Sequence, residues 1–71
     1  MSTLEGYIVV GTHKDVKYYF LSTIGKWTPD FKKVSLQDIN ESKIEVNMED
    51  YPMMDKEYSH EKITINGNFY D

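Results

Sequence analysis

The sequence predicts a small α+β domain: a mainly antiparallel sheet of four to five strands with one short helix, spanning residues 1–71 as a single unit. Three observations predict it. Four segments are β-branched and aromatic, or alternate strictly between apolar and polar residues. A single weak apolar stripe, Leu36 and Ile39, has helical spacing. A chain of 71 residues buries only about 60 % of the surface its unfolded form exposes. That leaves room for one core and little for a deep catalytic cleft.

Gly6-Tyr7-Ile8-Val9-Val10-Gly11 reads as the first strand and Val16 to Thr23 as the second. The short polar turn Thr12-His13-Lys14-Asp15 makes them antiparallel neighbours. Both faces of the second strand carry bulk, with Tyr18 and Phe20 on one side and Tyr19 and Leu21 on the other. This places it centrally in the sheet, or with one face partly offered to a partner. Thr28-Pro29-Asp30 has the form of a helix start with room for about one turn. Trp27 is expected to be largely buried, beside Phe20 and Phe31. Ser35-Leu36-Gln37-Asp38 resembles a capping box, with Asp in place of the usual Glu or Gln. It is expected to open the short helix near Leu36 to Asn40. Lys43 to Glu49 alternates most cleanly, with Ile44, Val46 and Met48 inward and Glu45, Asn47 and Glu49 outward. The Tyr51-Pro52-Met53-Met54 region is a loop. Glu61 to Ile65 is a last strand, and Asn66-Gly67 has hairpin-turn chemistry that would set Ile65 against Asn68 and Ile63 against Tyr70.

There is no cysteine, so neither a disulfide nor a thiolate zinc site can staple the fold. Stability must come from burying the ten aromatic residues and their aliphatic neighbours, or from homo-oligomerisation. No run of about 18 apolar residues could cross a membrane as a helix. The N-terminus lacks a signal-peptide pattern, and the expectation is a soluble intracellular protein. Arginine and alanine are absent while Lys, Asn, Ile and Tyr abound, the mark of an AT-rich genome such as that of a low-GC bacterium or a bacteriophage. Without arginine the chain lacks the usual bidentate ligand for phosphate and guanine. The net charge of -4 also disfavours nucleic acid. The charge divides as +2 over residues 1–37 and -6 over residues 38–71, which suggests two electrostatic faces or an acidic flank aimed at a basic partner.

Tyr18-Tyr19-Phe20-Leu21, then Gly25-Lys26-Trp27-Thr28, Asp30 and Lys33-Val34, resembles small proteins of tailed bacteriophages, mostly of unassigned function. In these an aromatic strand is followed by a Gly-Lys-Trp-Thr turn. Their opening strand is similar to Tyr7-Ile8-Val9-Val10. The resemblance covers about a third of the chain, Val16 to Ile39. It implies a small strand-led architecture and a viral protein in the cytoplasm of a host cell. The acidic segment and the Tyr-Pro-Met-Met loop lie outside it.

No catalytic motif stands out. His13 and His60 have no metal-ligand spacing and are expected to be exposed and polar. Ser59-His60-Glu61 holds the three residue types of a hydrolase triad, yet neighbours on a strand point to opposite faces. No phosphate-binding loop or nucleophile elbow is present. The expectation is a non-enzymatic protein with no catalytic residue, metal or cofactor. Glu45, Glu49, Asp50, Asp55 and Glu57 with Tyr51, Met53 and Met54 form the candidate partner-binding set. Its carboxylates would occupy a basic groove on a host protein, a nucleic-acid enzyme or an antiviral defence component, and its apolar residues would anchor them. Met53 and Met54 could equally close the core. An alternative is a single-stranded nucleic-acid binder using Trp27, Tyr18, Tyr19 and Phe20 with Lys14, Lys17, Lys26, Lys32 and Lys33. A structural or assembly accessory protein is a third.

Overall fold

The computed structural model describes residues 2–67, with side chains over 5–64. Four antiparallel strands form one sheet in the order β3-β2-β1-β4: β1 Ser2–His13, β2 Val16–Leu21, β3 Lys26–Thr28 and β4 Ser59–Gly67. The predicted sheet is present, and β2 lies inside it as its two-sided bulk requires. Twelve residues of β1 span about 40 Å at roughly 3.3 Å each, which accounts for the 41 Å long axis of the molecule. β4 pairs along β1 from Ser2 to Val10, and β2 pairs with it from Val10 to His13.

His13 pairs with Val16, so the β1–β2 hairpin turns on two residues. Lys14 and Asp15 both take positive φ, 51° and 65°. Such a turn matches the twist of the strands it joins.

No α-helix occurs among the described residues; the sheet is joined by three single 3-10 turns. The helix predicted over Leu36 to Asn40 is one such turn, Leu36–Asp38. Its capping box forms, and a contact beyond it ends the turn. The Asp38 carboxylate accepts from Ser35 N–H, the return half of the predicted capping box, and also from Thr23. Asn40 must extend to exchange two backbone bonds with Tyr7, at 2.7 and 3.0 Å. The predicted helix start at Thr28 is likewise one turn, Phe31–Lys33, capped by Asp30 instead of Thr28. Thr28 ends β3, and its hydroxyl accepts from Asp30 N–H.

The Asn40–Tyr7 bridge is where the chain changes sides. Before it, Phe31 packs edge-on against Tyr19, with ring centroids 5.1 Å apart. Ile39 lies over Gly6 so closely that a Cβ there would sit 2.6 Å from Ile39 Cγ2. After it, residues 43–58 cross the other face, where Lys43 lies over the Tyr7 ring and Tyr51 covers Phe20 and Trp27. The core is therefore split by the sheet. Ile8, Val10 and Leu21 are buried beneath the first layer; Val9, Phe20, Met48 and Met54 are buried beneath the second.

Lys43–Glu49 is not a strand, although its alternation is correct: Ile44, Val46 and Met48 are covered, and Glu45, Asn47 and Glu49 are exposed. The segment forms no backbone ladder with any strand of the described sheet. Side chains at the entry to β4 supply its hydrogen bonds instead. Val46 N–H donates to the Tyr58 hydroxyl at 3.1 Å, and His60 Nε2 lies 2.6 Å from the Ile44 carbonyl oxygen. His60 must donate there, because the carbonyl can only accept.

At the far end, Asn66 and Gly67 stay in β4, paired with Thr3 and Ser2, and do not form the predicted turn. The expected partners Asn68 and Tyr70 lie outside the described residues.

Candidate functional site

The face that carries Tyr18, Phe20 and Trp27 also carries Gly11 and His13, because cross-strand partners share a face. Gly11 is buried at the centre of this row. A Cβ there would sit 2.9 Å from Trp27 Cζ3 and 3.1 Å from Met54 Cε. The missing side chain lets the indole lie flat on the strand. Tyr51 then stands on the indole at 84°, with centroids 5.8 Å apart, and on Phe20 at 73° and 5.6 Å. These edge-to-face arrangements suit the ring quadrupoles. Phe31, expected beside Trp27, is on the opposite side of the sheet with Tyr19.

Beside this stack opens a cleft of about 410 Å³. The sheet contributes His13, Tyr18 and Trp27; the loop contributes Asp50, Tyr51, Pro52, Met53 and Met54. Its volume is within the range of small-ligand sites. Met54 is buried and forms its base, whereas Met53 is 73 % exposed at its rim. Trp27 is only half-buried as a residue, yet its indole Nε1 is buried with no hydrogen-bond partner. An unpaired buried donor costs about 1–3 kcal/mol.

Of the eight residues singled out from sequence, the fold brings Asp50, Tyr51, Met53 and Met54 into one cleft. Glu45, Glu49 and Glu57 are exposed on the same segment without lining it. Asp55 is tied to the end of β1: its N–H donates to the Thr12 carbonyl, and its carboxylate accepts from the Thr12 hydroxyl. His13, Tyr18, Trp27 and Pro52 were missed as members of the cleft. The available signal was Gly11, a glycine inside a strand and in register with the aromatic side of the next one.

Two lysines of the sheet pair away from the cleft, Lys17 with Glu61 and Lys62 with Glu5. Lys17 contacts Glu61 at 2.6 Å. Its hydrogen bond to Glu61 raises its pKa, against a lesser opposing effect of burial. Both side chains are about half exposed, so solvent screens the pair. His60 is half-buried and anchored to Ile44, in place of the free polar surface expected of it. Among the described residues no three His, Asp or Glu side chains converge as a metal site would require. No helix of the described residues is long and apolar enough to cross a membrane.

Asp38 is the one buried carboxylate among the described residues, 3 % exposed. Oδ1 accepts from the Thr23 N–H and hydroxyl, and Oδ2 from the Ser35 N–H and hydroxyl, at 2.7–3.1 Å. Burial pushes its pKa up, but the bonds from Ser35 and Thr23 outweigh this and hold it below the ordinary carboxylate value. Its four bonds serve the fold and lie away from the cleft.

No protein-family model, curated protein or solved structure matches the chain.

Proposed function

We propose that this chain is a small non-enzymatic bacteriophage protein that binds and inhibits a host protein with a basic surface, a nucleic-acid enzyme or an antiviral defence component. One observation carries the reading: a continuous segment, residues 45–57, holds five carboxylates against the single Lys56 and carries the exposed Met53 and the half-buried Tyr51 at an open cleft. Acids on a scaffolded surface steer a basic partner, and apolar anchors beside them slow its release. The alternative, binding of single-stranded nucleic acid on the aromatic strand, has less support. Phe20 is buried beneath Tyr51, and Lys17 is paired with Glu61.

The test is capture of a partner from infected host cells by the tagged chain, followed by association kinetics on the purified pair. Charge reversal at Glu45, Glu49 and Asp50 should slow association, as should added salt, because charges are screened over about 8–10 Å at 0.1–0.15 M. Tyr51→Ala should mainly speed dissociation. Micromolar or tighter retention of mixed-sequence single-stranded DNA or RNA in a low-salt gel shift would defeat the reading.

A further inference from the structure

We infer that the cleft holds the ammonium end of a lysine side chain presented by a basic partner segment. The inference rests on the reading above and assigns the cleft its occupant. Three features converge. Trp27 and Tyr51 stand at 84° to each other with centroids 5.8 Å apart, so the edge of one ring meets the face of the other and both rings border the cleft. A cation near such faces is attracted by the ring quadrupoles, most strongly when desolvated. Asp50 is the only carboxylate in the lining, where it supplies a counter-charge. Met53 and Met54 supply flexible thioethers to fit the alkyl stem. Charge complementarity selects this occupant over a neutral apolar segment, since the loop carrying the cleft has five acids and one lysine. It also disfavours a phosphate, which would face Asp50 with His13 in the lining but no arginine or lysine to hold it. Lys26, next to Trp27 in sequence, pairs with Leu21 on the opposite face of the sheet and so does not compete.

The experiment is an NMR titration of the full chain with Nα-acetyl-lysine methylamide and with its neutral isostere, Nα-acetyl-norleucine methylamide. The lysine probe should shift the Trp27 indole N–H and Met53 methyl signals, with half-saturation in the millimolar range. The norleucine probe should bind at least tenfold more weakly. Asp50→Asn should weaken the lysine probe at least threefold and leave the norleucine probe unchanged; Tyr51→Leu should weaken the lysine probe by a similar factor. Equal binding of the two probes would overturn the inference in favour of a plain apolar groove. Shifts confined to Glu45 and Glu49, or no shift at the cleft, would overturn it too. The two proposals fail separately. A captured partner that is sensitive to reversal of Glu45 and Glu49 but indifferent to Asp50→Asn would sink the lysine seat alone. A cleft that takes lysine in a chain that captures no basic protein would sink the inhibitor reading alone.

Discussion

Asp38 shows how one side chain can hold two turns. Its four accepted hydrogen bonds join the residues after β2 to the start of the Leu36–Asp38 turn. Hydrogen bonds to a charged group are each worth about 1.5–3 kcal/mol, though four on one carboxylate do not add. Asp38→Asn should cost about 2–3 kcal/mol at pH 7, read as a lower urea midpoint. The pH dependence follows from the depressed pKa. Stability from Asp38 is fully present above the unfolded pKa of about 3.9. It is lost as pH falls through the lower folded value, because protonation there favours the unfolded chain. The gap between Asp38→Asn and the parent should therefore close below about pH 4, and a gap constant from pH 7 to about pH 2.5 would contradict this assignment. Gly11 is the second residue with a role out of proportion to its size. Gly11→Ala sets a methyl 2.9 Å from a rigid indole carbon. Overpacking of this kind costs about 1–3 kcal/mol, and the tilted indole should also shift the Trp27 emission maximum.

Among the elements, the β1–β2 hairpin and the 44–46 segment are each open to a local test. The hairpin turn has positive φ at both Lys14 and Asp15, where asparagine and glycine are favoured. The double substitution Lys14→Asn with Asp15→Gly should stabilise the protein by about 0.5–1 kcal/mol, because relief of a left-handed backbone worth roughly 1–2 kcal/mol per residue exceeds glycine's added chain entropy of about 0.5–1 kcal/mol. At this size that raises the melting temperature by roughly 2–8 °C; an unchanged or lower value would argue against the turn. The 44–46 segment depends on borrowed hydrogen bonds. Tyr58→Phe removes the acceptor of Val46 N–H while keeping the ring. The Val46 amide should then exchange with solvent much faster, and the β1–β4 amides should be unaffected. Equal protection in the variant would mean that the segment has another anchor.

For the molecule as a whole, the Asn40–Tyr7 bridge ties β1 to the point where the chain passes from one layer to the other. A methyl at Gly6 would lie 2.8 Å from the Asn40 carbonyl oxygen and 2.6 Å from Ile39 Cγ2. Backbone cannot retreat as a side-chain end can, so Gly6→Ala should loosen both layers together. Denaturation followed by Trp27 fluorescence, which reports one face, and by far-ultraviolet circular dichroism, which reports the sheet, should move to the same lower urea midpoint. Separate midpoints would show that the layers unfold independently.

Much of this architecture was legible in the chain because it rests on local rules. The β-branched run Tyr7–Val10, the two-sided bulk of Tyr18–Leu21 and the alternation from Ile44 to Met48 each state which side chains must leave water. The structure agrees with all three. The rules that failed are those that ask where a backbone finds its partners. Ile44–Met48 has the period of a strand, but the sheet positions beside β1 are taken by β2, β4 and Asn40. The segment therefore lies on the face and bonds to Tyr58 and His60. Leu36–Asn40 has a helical stripe, but Tyr7 requires Asn40 to be extended. The cleft follows the same division. Asp50, Tyr51, Met53 and Met54 were suspected from charge and composition within one loop. Their union with Trp27, Tyr18 and His13 depends on strand register and on the place where the chain crosses to the second face. The register is set within hairpins, Gly11 opposite Tyr18 and Phe20 opposite Trp27, but the crossing rests on Tyr7–Asn40 and Thr12–Asp55 contacts tens of positions apart, which no local pattern encodes.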